Sequence, residues 1–205
     1  MNIIKKIDSF LDESEKEFWQ DVYKNKESHW EDKNVSNLTK KVVSKFKKFD
    51  NVLEIGCAAG IDTFYLAKYT RNKIVGIDIV SDIIKKAKEN LSKEPINIQR
   101  KISFEIGDAE KLKFEDKSFD FVYSLSVLHS TDVSKSIKEV RRVLTDDGKA
   151  VIYVYIGGNK EEGMNKKKFI DAVSSYFKII DQKEVDVSDS ANDKHTALIT
   201  WLEVK

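Results

Sequence analysis

The sequence is poor in the residues that hold small or multidomain proteins together. It has one cysteine, Cys57, in 205 residues, which excludes an internal disulfide and the clustered thiols of a zinc site. This usage is typical of a reducing compartment and predicts a cytoplasmic location. The single proline, Pro95, lies in a short polar connection, so the sequence shows no interdomain linker.

Long apolar runs and an excess of one charge are also missing. The N-terminal residues carry a charge every few positions, unlike a signal peptide or a membrane-spanning segment. Lys and Arg total 36 against 35 Asp and Glu. The only arginines are Arg71, Arg100, Arg141 and Arg142. A surface that binds nucleic acid normally has more Arg and a clear positive excess, so the composition argues against nucleic acid and membranes as partners.

From Val52 onward, short apolar runs alternate with helical patterns. Runs rich in Val, Ile, Phe and Tyr predict five strands, at 51–55, 73–79, 101–107, 119–125 and 149–156. Apolar residues at three-to-four-residue spacing predict helices between them, at 61–70, 81–91 and 132–144. Two more strand-like runs, 176–187 and 194–205, have no helix between them, so we expect them to pair antiparallel.

This order of elements predicts an α/β fold. We expect a doubly wound, seven-stranded, mostly parallel sheet with helices on both faces and an antiparallel terminal hairpin at its edge. Two helical patterns precede the first strand, so we assign residues 1–49 to an N-terminal helical cap and 50–205 to the main domain. Ligands of such sheets bind beyond the carboxyl ends of the strands, where the strand order reverses. The residues just after each strand are therefore the candidate site.

The turn after the first strand, VLEIGCAAG (52–60), consists of small residues. Gly56 and Gly60 flank Ala58, where a cofactor-binding turn would be expected to carry a glycine. The helix that starts near Ile61 would favour an anionic group at its N-terminus. At a negative φ, Ala58 adds only a methyl group, whereas a positive φ costs about 1 kcal/mol or more. Alone, the turn is equally consistent with a structural connection.

Acidic residues follow the next two strands. Asp78 closes the second strand, where a carboxylate can accept both ribose hydroxyls of a nucleotide-like ligand. A strand-end Asp is often a helix cap instead, but Ser81 and Asp82 could cap the next helix. Asp108, in GDAEKL (107–112), could accept an adenine amino group while the Ala109 N–H donates to the ring. The three strand ends together predict a nucleotide-cofactor site.

The set VLEIGCAAG, VGIDIV, FEIGDAEKL, FDFVYSLSVLHS and EVRRVLTDDGKAVIY resembles the class I S-adenosylmethionine-dependent methyltransferases, especially their small-molecule branch. The resemblance covers about Val52 to Tyr155, and the last strand pair matches the family's reversed hairpin. It implies a Rossmann-like fold, S-adenosylmethionine as cofactor and S-adenosylhomocysteine as product. A nicotinamide-dependent dehydrogenase would not be expected to combine GDAE after the third strand with the terminal hairpin.

By that resemblance, the residues assigned to the cofactor are Glu54, Gly56, Ala58, Gly60, Asp78, Ile79, Asp108, Ala109 and Leu125. Glu54 and Gly56 would meet the methionine portion, and the Leu125 backbone would meet the methionyl amine. Asp78 would bind the ribose, and Asp108 would hold the adenine amino group. Gly60 would open the first helix. The family's glycine motif is matched at the first and third positions and departs at Ala58.

The resemblance also implies methyl transfer by in-line displacement, with no covalent enzyme intermediate. An acceptor that must lose a proton needs a base, and His129, just after the fourth strand, is the candidate; local packing is its alternative role. That strand lacks the Asn/Asp-Pro-Pro-aromatic turn of enzymes acting on bases or protein glutamine, and no cluster predicts a metal. We predict a small-molecule methyltransferase. A non-catalytic cofactor-binding protein and a protein or peptide methyltransferase remain alternatives.

The segment EFWQDVYKNKESHWEDKNVSNL (17–38) is loosely similar to the lead-in of thiopurine-type and tellurite-resistance-type methyltransferases. By that similarity Trp19, Tyr23 and Trp30 would line an aromatic lid over the pocket, since aromatic faces suit a sulfonium cation. In the alternative interpretation, Phe18, Trp19 and Val22 form the apolar face of a docked helix.

Overall fold

All seven predicted strands form one sheet. The computed structural model describes residues 20–21, 34–158, 164–187 and 195–205. The strands are β1 (Phe49–Ile55), β2 (Thr70–Asp78), β3 (Ile102–Ile106), β4 (Phe119–Leu125), β5 (Leu144–Gly158), β6 (Phe177–Asp186) and β7 (His195–Val204). Their order is β3-β2-β1-β4-β5-β7-β6. The first five strands pair in parallel and β7 is antiparallel to both β5 and β6, which confirms the predicted sheet and hairpin.

Six α-helices with bounds among the described residues precede the first strand or lie between strands. They are α1 (Asn37–Phe46), α2 (Ile61–Ala67), α3 (Ser81–Leu91), α4 (Ile96–Gln99), α5 (Val133–Val143) and α6 (Lys166–Ser174). The predicted helix 61–70 ends at Ala67, because Thr70 already begins β2. The sequence pattern did not predict α6, which begins after Asn165, whose side chain accepts the N–H of Lys168.

The predicted placement of helices on both faces is confirmed by two apolar clusters. On one face, Leu53 and Val122 of the sheet pack in a cluster with Ile137 of α5. On the other, the alternating strand residues Val52 and Phe121 belong to a cluster that includes side chains of α1, α2 and α3. Because successive strand residues point to opposite faces, nearly continuous apolar runs are needed to fill both clusters.

Helix α1 belongs to the main apolar core. Its Val42 is fully buried, and the Phe46 ring lies 5.4 Å from the Phe121 ring. Most of the predicted cap, including Trp19, Tyr23 and Trp30, lies outside the described residues. The division into 1–49 and 50–205 therefore stays a prediction.

The strand order determines where the candidate site lies. The order reverses between β1 and β4, because β2 and β3 lie on one side of β1 while β4 and β5 lie on the other. A crevice outside the carboxyl ends of the strands is expected there. Within the described part of the chain, no helix is long and apolar enough to cross a membrane.

Candidate functional site

A cavity of about 490 Å³ lies at the carboxyl ends of the central strands. Of the nine residues assigned to the cofactor from sequence, eight line it: Glu54, Gly56, Ala58, Asp78, Ile79, Asp108, Ala109 and Leu125. Gly60 and His129 are not among the lining residues. The cavity also receives side chains from the segment before α1 and from the first turn of α2, which the sequence did not single out.

The small-residue turn has a left-handed backbone at every second residue. The φ angles are 79° at Gly56, 45° at Ala58 and 88° at Gly60. Three hydrogen bonds fix the turn against β2. The N–H groups of Gly56 and Cys57 donate to the Ile77 carbonyl at 2.8 Å and 2.9 Å, and the Ala58 N–H donates to Asp78 Oδ2 at 3.1 Å. The sequence left open whether φ at Ala58 is negative or positive. It is positive, so Ala58 adopts a conformation that is normally found at glycine.

We expect Ala58→Gly to raise the free energy of unfolding by about 0.5 to 1 kcal/mol. Relief of the left-handed strain outweighs the entropy that glycine gains in the unfolded chain. Urea denaturation measures the change. The matched control is Ala59→Gly, because Ala59 is buried but not at positive φ, and this change should lower stability. Equal destabilisation by the two substitutions would contradict the strain at Ala58.

Gly60 lets two aromatic rings pack closely against the turn. It is the N-cap residue of α2, as expected for the residue that opens the helix. A Cβ at this position would lie 2.6 Å from Cζ of Phe104 and 3.0 Å from Cζ of Phe64. Glycine is therefore needed here both for its φ angle and for the close approach of two aromatic rings.

Asp78 is tied to the backbone on two sides of the cavity. Besides the Ala58 N–H, its carboxylate accepts the N–H of Val80 at 3.1 Å. Val80 is the N-cap of α3 and provides no side-chain cap, so the prediction that Ser81 and Asp82 would cap this helix is wrong. The side chain of Asp82 accepts a hydrogen bond from Lys85 instead. These bonds hold the Asp78 carboxylate at the cavity wall.

The part of the cavity predicted to hold the adenine is formed by the end of β3 and the turn that follows it. The Gly107 N–H donates to the backbone carbonyl of Asp78 at 3.0 Å, which holds the ends of β2 and β3 together. The Asp108 side chain accepts the N–H of Glu110 at 2.8 Å, and Ala109 is buried. Asp108 and Ala109 therefore reach the same cavity as Asp78 and Ile79.

His129 faces a neighbouring tyrosine. Its ring lies 5.0 Å from the Tyr155 ring and perpendicular to it. Its Nδ1 atom is buried and has no hydrogen-bond partner among the residues that the structure describes, and burial lowers the pKa of His129 to about 4. The imidazole is thus neutral at pH 7 and a weak base. These contacts favour the packing role, and a role for His129 as catalytic base stays a prediction.

Comparison with known proteins supports the predicted family. Residues 53–152 match the model of a methyltransferase domain. The matched residues, just under half of the chain, are similar to methyltransferase domains, as the sequence motifs predicted. An uncharacterised methyltransferase of Schizosaccharomyces pombe is 35% identical over 107 residues, which are 50% of this chain and 38% of the relative. The chloroplastic tocopherol O-methyltransferase of Arabidopsis thaliana is 31% identical over 57% of this chain and 33% of its own length.

A solved structure extends the likeness beyond residues 53–152. The PH0226 protein of Pyrococcus horikoshii OT3 superposes with a TM-score of 0.66 at 25% identity, covering 82% of this chain and 88% of its own. The chain spans only about a third of the length of these two curated relatives, 38% of the first and 33% of the second.

The lining of this cavity is acidic. Four carboxyl groups line it, those of Glu54, Asp62, Asp78 and Asp108, against one cation, Lys40, among the described residues. Burial raises the pKa of Glu54 well above its usual value, with repulsion from Asp62 adding to it. Burial also raises the pKa of Asp62. Because burial disfavours the ionised form of these carboxyl groups, a positively charged ligand would stabilise them.

The sequence patterns did not predict that Asp62 and Lys40 line the cavity. Asp62 looked like an ordinary acidic residue in a first helical turn, where it would only interact with the helix dipole. Lys40 was one of many lysines treated as solvated surface. Neither follows a strand, so the rule that located the other lining residues could not find them.

Proposed function

We propose that this chain transfers a methyl group from S-adenosylmethionine to a small-molecule acceptor. The observation that carries the proposal is one acidic cavity, at the reversal of strand order, lined by eight of the nine expected cofactor residues. S-adenosylmethionine supplies an electrophilic methyl group on a positively charged sulfur, which suits an acidic lining. The tocopherol relative is named for a small-molecule acceptor, which supports this substrate class.

The residues present fit the cofactor along the length of the cavity. Asp78 would accept the ribose hydroxyls, with Ile79 beside it. Asp108 and the Ala109 N–H would hold the adenine at the β3 end. Glu54, Gly56 and Leu125 would surround the methionine portion at the ends of β1 and β4.

Lys40 would pair with the carboxylate of the cofactor. The methionine portion carries one carboxylate, and Lys40 of α1 is the one cationic side chain that lines the cavity among the described residues. The proposed orientation therefore places the amino acid end of the cofactor under α1 and the adenine at β3. A charge pattern matched in this way favours one orientation over its reverse.

For the transfer itself, the chain would align the acceptor with the methyl group and exclude water, with no covalent enzyme intermediate. An acceptor that need not lose a proton before transfer requires no base, which agrees with the weakly basic, packed imidazole of His129. Trp19, Tyr23 and Trp30 would form the aromatic lid of the acceptor side. A cytoplasmic location and the lack of a nucleic-acid partner complete the proposal.

Calorimetric titration and a product assay test the proposal together. We expect micromolar binding of S-adenosylmethionine and S-adenosylhomocysteine, and formation of S-adenosylhomocysteine when a small-molecule extract is added. Binding without product from either small-molecule or protein fractions would favour the non-catalytic alternative. Product formed only with a protein fraction would favour the protein or peptide methyltransferase. No binding of either ligand would overturn the proposal.

A further inference from the structure

Glu110 belongs to the turn that forms the β3 side of the cavity, but it is not itself among the lining residues. Its backbone N–H donates to Asp108 Oδ1 at 2.8 Å, and the Lys111 N–H donates to the Asp108 carbonyl at 3.1 Å. These two bonds make residues 108–111 a compact turn. A contact that fixes Glu110 therefore also fixes Asp108 and Ala109, the two residues of the turn that line the cavity.

The carboxylate of Glu110 reaches from this turn to the beginning of α5. Its Oε1 accepts the backbone N–H of Asp132 at 2.7 Å, and its Oε2 lies 3.1 Å from Nζ of Lys135. Asp132 is the N-cap of α5, where the first N–H groups have no partner within the helix and a negative charge is stabilised by the helix dipole. Thr131, directly before Asp132, lines the cavity. One side chain thus joins two parts of the cavity wall.

Two residues further along α5 hold the rest of the segment that follows β3. Glu139 Oε2 accepts the N–H of Leu112 at 2.8 Å. Arg142 donates to the carbonyls of Leu112 at 2.9 Å and of Phe114 at 2.7 Å. Because these contacts do not involve Glu110, a substitution of Glu110 would release the end of the segment at the cavity and leave the remainder attached to α5.

In the proposed function, this turn binds the edge of the purine. Asp108 would accept the adenine amino group, and the Ala109 N–H would donate to the ring. Hydrogen bonds weaken steeply when their distance and angle depart from the preferred values, so a small displacement of the turn would weaken both. The ribose and the methionine portion would be held by the ends of β1, β2 and β4, which Glu110 does not contact in the described part of the chain.

We propose that Glu110 is a positioning residue for purine recognition. It holds the turn at 108–111 against the N-terminus of α5 and thereby sets the selectivity of the site for adenine over a purine that carries a carbonyl oxygen in place of the amino group. The inference rests on the proposed function. It gives a role to a residue of GDAEKL that the family resemblance left unassigned.

The test is calorimetric titration of the wild-type chain, Glu110→Ala and Glu110→Gln with S-adenosylhomocysteine and with S-inosylhomocysteine. The second ligand has a carbonyl oxygen in place of the purine amino group and a proton on the adjacent ring nitrogen, and is otherwise identical. Alanine removes both contacts of the carboxylate. Glutamine keeps an oxygen that can accept the Asp132 N–H and loses only the charge that faces the exposed Lys135.

Asp120→Ala is the matched control. The Asp120 carboxylate also ties two chain segments together through the backbone, because it accepts the N–H groups of Asp50 and Asn51. These residues lie at the amino ends of β1 and β4, whereas the cavity lies at the carboxyl ends. The control therefore lowers stability without releasing the turn that faces the purine, and urea denaturation of each variant shows that it is folded.

We expect the wild type to prefer S-adenosylhomocysteine, and the ratio of the two dissociation constants to fall about tenfold in Glu110→Ala through weaker binding of that ligand. Glu110→Gln should keep the ratio within about twofold, because the exposed ion pair contributes little, and Asp120→Ala should leave it unchanged. An unchanged ratio in Glu110→Ala, or an equal fall in Asp120→Ala, would overturn the inference and leave Glu110 a structural residue. A wild-type chain that binds neither ligand would instead overturn the proposed function, so the two failures are distinguishable.

Discussion

Replacing Asp78 by alanine should weaken binding of S-adenosylmethionine by on the order of 100-fold or more. The carboxylate is proposed to accept two ribose hydroxyls, and hydrogen bonds to a charged acceptor contribute about 1.5–3 kcal/mol each. The substitution also removes the acceptor of the Ala58 and Val80 N–H groups, which loosens the turn that faces the cofactor. Calorimetric titration with S-adenosylmethionine measures the loss.

Two further variants separate binding from folding. Asp78→Asn retains a side-chain oxygen for one backbone N–H, so it should unfold near the wild-type urea midpoint while still binding weakly. Asp50→Ala is the matched control, because Asp50 lies at the start of β1, at the opposite edge of the sheet, and pairs with Arg71 on the surface. Wild-type affinity in Asp78→Ala would contradict the assignment of the ribose to this carboxylate.

The second large effect is expected on stability, from Gly60→Ala. The new methyl group would lie 2.6 Å from the Phe104 ring and would force an alanine to φ 88°. Left-handed strain costs about 1–2 kcal/mol and overpacking a further 1–3 kcal/mol. We therefore expect the free energy of unfolding to fall by about 2–4 kcal/mol, measured by urea denaturation.

A double-mutant cycle with Phe104→Leu distinguishes the two causes. The smaller side chain makes room for the methyl group and leaves the backbone angle unchanged. In that background, Gly60→Ala should cost mainly the strain, about 1–2 kcal/mol, because the Phe64 ring at 3.0 Å is the remaining close contact. A cost for Gly60→Ala below about 0.5 kcal/mol in the wild-type background would show that the turn relaxes easily, contrary to this account.

The sheet could be predicted because its strands are buried on both faces. Continuous apolar runs such as those of β1 and β4 stand out between polar helix surfaces, and the absence of a helix between β6 and β7 predicted their antiparallel pairing. Helix α6 could not be found in the same way. Its Phe169 and Val173 are buried, but they follow a Gly- and Lys-rich stretch that masks the start of the pattern.

The site could be predicted as far as it depends on strand ends. Parallel strands bring their carboxyl ends to one edge, so Asp78 and Asp108 could be placed together from their positions after strands, whereas Glu54 and Leu125 were assigned by the family resemblance. Asp62 and Lys40 arrive from helices whose tilt and packing the sequence does not specify. The φ angle of Ala58 was likewise undetermined, because sequence spacing places a turn but does not set the sign of one backbone angle within it.

Helix α1 limits how a ligand can reach the cavity. Its Leu38, Val42 and Val43 fill the core, while Lys40, one turn away on the same helix, lines the cavity. Swinging the helix outward would expose these apolar side chains to water, at several kcal/mol. Ligand exchange must therefore proceed by local rearrangement of side chains and connecting segments, without a hinge motion of this helix. Turnover would then be governed by small, fast openings that leave the rest of the fold intact.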